Sequence, residues 1–292
     1  MLAKREWTER KKWRGKTLFV SDTHLGMKYC QDEALAALLQ DVDYDELIVV
    51  GDGVDGWALR YRFWWPPSHD RVVTLVRRKK TRFVPGNHDE FLRAWLPFSF
   101  LGIDFVGDFL YTLADGRVAL IIHGDIFDKI VSNQKWLAHL GSHGYDVLLA
   151  VNFQFNRIRR WLGLNYWSIS APIKRFFKEA AKYIGNFEAA LAAEARRRGA
   201  TVVICGHIHH ATRKLIDGIE YYNCGDFVES LTAILELEDG ELVHLKVVQD
   251  RARNWIVVPM PIEDESVNAR KRSWWKRLIR HGQTATATSH QS

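Results

Sequence analysis

Cysteine is scarce in this chain: Cys30, Cys205 and Cys224 are the only three among 292 residues. They do not pair by count and show no CxxC spacing. Neither a disulfide framework, nor a disulfide partner, nor a structural zinc site is expected. Long apolar runs are missing as well, and no stretch reaches the ~18 residues that a transmembrane helix needs. The opening stretch, "MLAKREWTERKKWRGK", is charged and lacks the apolar core of a signal peptide. A cytoplasmic protein is expected. No internal repeat is evident.

What is present is ordinary for a folded chain. It is 47% hydrophobic and 26% charged, which can supply a core, and its length suits one large domain or two small ones. The net charge of +6 is concentrated at the two ends. Residues 4–16 and 270–280 are basic and carry Trp7, Trp13, Trp274 and Trp275. Trp mixed with Lys and Arg suits an anionic bilayer surface, and a peripheral place on the inner face of a membrane would follow. The same mixture suits a nucleic-acid backbone or a merely solvated tail.

The hydrophobic pattern alternates short β-branched runs with helical ones. "KTLFVSDTHLG" reads as a strand running into a polar loop, "EALAALLQDV" as a helix, and "ELIVVGDGVDGW" as a second strand and loop. "DRVVTLVRRKK" is helix-like and leads to a third strand, "RFVPGNHDE". "FLYTLADGRVALIIHGD" reads as a hairpin turning at Asp115-Gly116. "ATVVICGHIHHA" and the segments from "GIEYYNCGDF" to "ELVHLKVVQD" read as further, mostly antiparallel strands. The alternation predicts an α/β fold. Residues 126–198 are helical in character and rich in aromatics. In the last helix of that stretch, Pro172 stands near the start and Gly199 follows the end. We read this stretch as an inserted helical cap, with a plain helical layer on the sheet as the alternative. The expected organisation is a catalytic domain over 1–260 with that insertion, then a basic, Trp-containing, partly disordered tail over 261–292.

Five loops at strand exits carry the same kinds of side chain. They are Asp22-Thr23-His24, Gly51-Asp52, Gly86-Asn87-His88-Asp89, His123-Gly124-Asp125 and Gly206-His207-Ile208-His209. Any one of them could be turn chemistry, since Pro, Gly, Asn and Asp are ordinary turn residues. Five in succession point to ligands converging on one edge of an α/β sheet. Imidazole and carboxylate suit borderline ions such as Mn²⁺, Fe or Zn²⁺. The donors are too many for one ion. Two divalent ions sharing the carboxylate of Asp52, ~3.5–4 Å apart with a hydroxide between them, is the economical arrangement for attack at phosphorus.

In that order, DxH, GD, GNHD, a lone His after a strand, and GHxH resemble the calcineurin-like metallophosphoesterase superfamily. The resemblance covers about residues 17–248 and implies a two-sheet sandwich flanked by helices. It places Asp22, His24, Asp52 and His209 on one ion and Asp52, Asn87, His123 and His207 on the other. It makes His88 a catalytic group that faces the substrate phosphate and stabilises or protonates the leaving oxygen. Asp89 is expected to hold His88 or a ligand histidine in orientation. Asp55, Asp125 and Asp226 either support the site or cap turns. His210 is expected to be exposed.

The order of parts allows a narrower comparison. The helical insert, "GDGVDGW" and the late "CGDF" resemble the UDP-2,3-diacylglucosamine pyrophosphatase family of lipid A synthesis. That resemblance implies manganese and a cap that grips acyl chains. Trp57, Arg60, Arg157, Lys174 and Lys178 are then candidate substrate contacts. The chain departs from that family at His88, where close members usually carry Arg; His can donate a proton near neutral pH and Arg cannot. A lipid-linked phosphoester or pyrophosphate is the expected substrate. A small soluble phosphoester such as a nucleotide is the alternative. A nuclease or a non-catalytic metal-bearing scaffold comes third, so nucleic acid is not the expected partner.

Overall fold

The computed structural model describes residues 13–128 and 170–260, with backbone alone for 170–178 and 180. In chain order the strands are β1 (Trp13–Arg14), β2 (Thr17–Val20), β3 (Val42–Asp43), β4 (Glu46–Val50), β5 (Lys80–Val84), β6 (Phe98–Phe100), β7 (Ile103–Phe105), β8 (Phe109–Thr112) and β9 (Val118–Ile121). They continue as β10 (Val202–Cys205), β11 (Thr212–Ile216), β12 (Ile219–Asn223), β13 (Thr232–Glu236), β14 (Leu242–Gln249) and β15 (Trp255–Pro259). The α-helices are α1 (Asp32–Asp41), α2 (Gly56–Tyr61), α3 (Pro67–Val76) and α4 (Ser170–Arg197).

Two sheets form the frame. The larger has the order β15-β14-β13-β2-β4-β5-β7-β6, and the smaller β11-β12-β10-β9-β8. Strands β2, β4, β5 and β7 run parallel, as do β9, β10 and β12, while the outer strands pair antiparallel. Parallel strands need crossovers; α1 lies between β2 and β4, α2 and α3 between β4 and β5, and α4 between β9 and β10. Side chains alternate across each strand. Leu18, Val20, Leu47 and Val49 therefore pack outward with Leu35, Leu38 and Leu39 of α1 and Val72 and Leu75 of α3. Phe19, Ile48, Val50 and Val84 point the other way and meet Ala119, Ile121, Val202 and Ile204 of the smaller sheet. Strands buried on both faces explain why these runs read as continuously apolar.

The outer face of the smaller sheet is covered by α4. Tyr183, Phe187, Leu191 and Ala195 recur every four residues and pack with Val203, Cys205 and Tyr221. Gly199, at φ 77°, takes the left-handed position that ends this helix. So from Tyr183 onward the stretch read as a cap is a layer of the sandwich. Residues 129–169, including Arg157, lie outside the described residues, as do the side chains of Lys174 and Lys178 and the tail over 261–292. Among the described residues no helix is long and apolar enough to cross a membrane.

His244 of β14 shows how this core treats a titratable group. It is buried against Tyr222, and its Nε2 lies 2.9 Å from the Asn223 carbonyl. Burial pushes its pKa down from 6.5 to about 4. The unfolded chain therefore binds the proton more readily between those values, and stability falls as pH drops through that window. The wild-type chain is expected to lose about 3 kcal/mol more than His244→Gln between pH 7 and pH 4. Urea unfolding of both proteins at the two pH values checks this; equal losses would show that His244 does not titrate on unfolding.

Candidate metal centre

All five loops leave the carboxyl ends of parallel strands, three from the larger sheet (β2, β4, β5) and two from the smaller (β9, β10). The sheets pack face to face, so the loops meet along one edge. Cross-loop bonds hold them there. Asp22 N–H donates to Gly51 O at 3.0 Å, His24 N–H to Asp52 O at 2.9 Å, and Gly206 N–H to His123 O at 3.2 Å. The packing leaves no room for a side chain at Gly51 or Gly206, where a Cβ would overlap His123 and Ser21 respectively.

Backbone conformation marks the same positions. Asp22, His24, Asp52, His207 and His209 all have positive φ, between 47° and 72°. Non-glycine residues take this region sparingly, and its appearance at five candidate ligands points to a functional constraint.

Five of the candidate side chains lie close together. Ligand atoms of Asp22, His24 and His209 lie within 4.8 Å of one another, and so do those of Asp22, Asp52 and His123. Asp22 Oδ1 is 3.2 Å from Nε2 of His209. Asp52 Oδ2 is 3.4 Å from Nε2 of His123 and 4.0 Å from Nε2 of His24. It thus lies between the two groups. Oδ1 accepts the N–H of His88 at 2.8 Å, which leaves Oδ2 alone facing inward.

Neighbours fix which imidazole nitrogen is offered. Nδ1 of His123 is 2.9 Å from Val50 O, so it carries the proton and Nε2 faces Asp52. Nδ1 of His24 lies 3.3 Å from Asp55 Oδ2, leaving Nε2 for the cluster. His207 is turned the other way. Its Nε2 is 2.8 Å from Asp128 Oδ1, and its Nδ1 is buried without a hydrogen bond. The same holds for Asp22 Oδ1, Asn87 Oδ1 and His123 Nε2. A buried polar atom without a partner costs about 1–3 kcal/mol. Nδ1 of His24 and Nδ1 of His88 join these four, since their approach to Asp55 Oδ2 is an ion-pair distance and not a hydrogen bond; six such atoms on the converging loops fit divalent cations.

Charges are arranged accordingly. Burial alone would raise the carboxyl groups of Asp22 and Asp52, but His209 and His123 hold them well below the usual range. Burial also disfavours charge on His209 and His123. Asp22 nevertheless lifts His209 to about 9, and Asp52 lifts His123 well above its ordinary value. In the metal-free chain, protons on imidazole balance the carboxylates, so metal uptake releases protons.

The supporting residues divide differently from expectation. Asp55 holds two imidazoles, with Oδ2 3.3 Å from His24 Nδ1 and 3.1 Å from His88 Nδ1, and also caps α2 through Ala58 N–H. Asp89 does not orient His88 or any ligand histidine. It is fully buried and accepts backbone N–H groups from Gly53, Val54 and Gly86, stapling the second loop to the third. Asp125 faces Arg93, whose Nη2 also reaches Pro85 O at 2.8 Å. Asp226 accepts from Val228, Glu229 and Ser230 and caps its own turn, with Oδ2 3.9 Å from His209 Nδ1. His88 stands at the rim, its ring 4.2 Å from that of the exposed Trp57. Arg60 and His210 are exposed.

Two residues were not legible beforehand. Asp128 and Tyr183 form a buried chain to His207, with Tyr183 Oη donating to Asp128 Oδ1 at 2.6 Å. Nothing in "HGDIFD" separates the second Asp from a helix-start residue. Asp128→Ala removes the acceptor that holds His207 in its tautomer and should weaken metal affinity ~10–100-fold. Metal titration of the apo protein by calorimetry tests this; an unchanged affinity would take Asp128 out of the site.

No curated protein matches the chain. Solved structures similar to it include a single mutant of Vps29 from Entamoeba histolytica (14% identity, 84% of this chain and 98% of that one, TM-score 0.41). Vps29 from Chaetomium thermophilum (12%, 84% and 93%, TM-score 0.44) and a novel archaeal phosphodiesterase (14%, 84% and 99%, TM-score 0.36) are others. Residues 15–211 match the family model described as calcineurin-like phosphoesterase. That span is well over half of the chain, and the chain belongs to this family of hydrolases acting on phosphoester bonds.

Proposed function

We propose that the chain hydrolyses a lipid-linked phosphoester or pyrophosphate of the UDP-2,3-diacylglucosamine type, with two divalent ions, Mn²⁺ first among them. The metal-dependent reaction class rests on the two groups of close-set Asp and His side chains and on the buried polar atoms without hydrogen bonds on the same loops. Asp22, His24, His209 and Oδ2 of Asp52 would hold one ion; Oδ2 of Asp52, Asn87, His123 and Nδ1 of His207 would hold the other. Bound ions supply Lewis acidity toward the phosphoryl oxygens and a nucleophilic water at neutral pH.

The chain's own residues do the rest. Asp55 keeps a proton on Nδ1 of His88 and aims Nε2 away from itself. Burial lowers the basicity of His88, but Asp55 and Asp52 outweigh it and raise its pKa. In this reading His88 acts as the acid, through a proton carried on Nε2. The oxygen of a water that has given one proton to solvent forms the new bond to phosphorus, the bond to the leaving group breaks, the leaving oxygen takes the proton from Nε2, and His88 regains a proton from solvent.

The observation favouring an amphiphilic substrate is the rim. Trp57 beside His88 is 44% exposed, and Phe91, which abuts Gly56 at the start of α2, is 55% exposed. Aromatic side chains at this density beside a reacting group suit an apolar tail or a bilayer surface. The alternative, a small soluble nucleotide, is separated by one comparison. The Mn²⁺-loaded protein should show a KM at least ~10-fold lower for UDP-2,3-diacylglucosamine in detergent than for UDP-glucose. Equal efficiency on the two would favour the soluble substrate.

A further inference from the structure

A cavity of about 220 Å³ lies on the far side of the Asp52 loop from the clusters. Its walls are the outer face of the larger sheet (Val20, Phe83, Phe105) and the facing sides of α1 and α3 (Leu39, Val72, Val73). Thr23, Gly53 and Val54 of the site loops form its inner end. Phe91, Phe100 and Leu101 also line it and are 55, 60 and 48% exposed, so its mouth lies between them. Arg77 Nε donates to Leu101 O at 2.7 Å and ties α3 to one lip of that mouth.

The lining decides the chemistry. Among the described residues that line it, Thr23 has the only polar side chain, and the hydroxyl is spent on Gly53 O at 2.8 Å. No group is left to bind a charge. Water needs two to four polar partners to settle in such a place, and here it has none. An apolar cavity of ~150 Å³ takes up benzene, and this one is larger. Close packing is the rule elsewhere in protein interiors, so a dry space of this size, open at a rim of exposed Phe and Leu, suits an apolar ligand.

We propose that this cavity binds a single aliphatic chain, inserted between Phe91 and the β6–β7 turn, with the polar head of the same molecule left outside. On the benzene scale it holds roughly eight or nine carbons. The chain could be the tail of a substrate or belong to a separate fatty acid or lipid; the site is the same. It stands independently of the lipid-linked reading of the reaction.

Thermal unfolding of the full-length, Mn²⁺-loaded protein with sodium decanoate tests this. A ligand that binds only the folded state raises Tm with concentration. Decanoate should raise it saturably, and butyrate should not. Val73→Phe and Val76→Phe each fill the space, and either variant that folds should weaken decanoate at least 10-fold. No decanoate-dependent shift in the wild type, or undiminished shifts in both variants, overturns the proposal. Hydrolysis of decyl and methyl nitrophenyl phosphodiesters then separates the sources. If the tail is the substrate's, decanoate competes with the decyl ester alone and Val73→Phe raises KM for that ester alone. If the chain belongs to another lipid, decanoate still shifts Tm and the two esters respond alike. A preference for the decyl ester that survives intact in both variants would keep a lipid substrate and reject this cavity.

Discussion

Asp52→Ala is expected to purify without either metal ion and with turnover lowered by ~10³ or more. The reason is positional. Oδ2 of Asp52 sits 3.4 Å from Nε2 of His123 and 4.0 Å from Nε2 of His24, so it faces imidazoles of both groups. Removing it leaves each cluster one anionic donor short. It also leaves His123, whose charge Asp52 stabilises, without its nearest counter-charge. The fold should survive, because the other lost interaction is one hydrogen bond from His88 N–H to Oδ1, worth about 1 kcal/mol. Elemental analysis after gel filtration, with circular dichroism as a folding control, measures the outcome. Two ions per chain in this variant would sink the bridging assignment.

His88 and Asn87 should separate in experiment although they are adjacent. His88→Asn removes no donor from either cluster, so both ions and the fold should remain. Turnover should fall ~10²–10⁴, the scale for loss of a general acid. The loss should be smallest for nitrophenyl esters, whose leaving oxygen needs little protonation. His88→Arg divides two roles. Arg would keep an ion pair with Asp55 and a fixed cation at the rim, but it has no proton to give near neutral pH. If charge stabilisation is the role, Arg retains most activity on a UDP-linked pyrophosphate. If proton donation is the role, Arg is nearly as poor as Asn on alkyl esters. Metal loss in His88→Asn, or an unchanged rate on a poor leaving group, would show that the third loop has been misread.

The core strands and the converging loops were legible because both are local. Runs such as "LFV" and "LIVV" are apolar on both faces, and each ends in a polar loop within two residues. Contacts between distant segments were not legible. Asp89 looks like a partner for its neighbour His88, yet it turns inward to three backbone N–H groups across two loops. Asp128 and Tyr183 are 55 residues apart and meet only because α4 folds back on the smaller sheet. The β6–β7 pair and the turn before it, which line the apolar cavity, have too short a pattern to read.

The left-handed backbone at Asp22, His24, Asp52, His207 and His209 bears on how such a chain can be improved. Each residue held there costs about 1–3 kcal/mol that glycine would not incur. A screen for thermal stability alone should therefore enrich glycine at these positions, and each success would be inactive. Heat resistance and chemistry pull against each other at five places in the chain, and engineering for robustness has to start elsewhere.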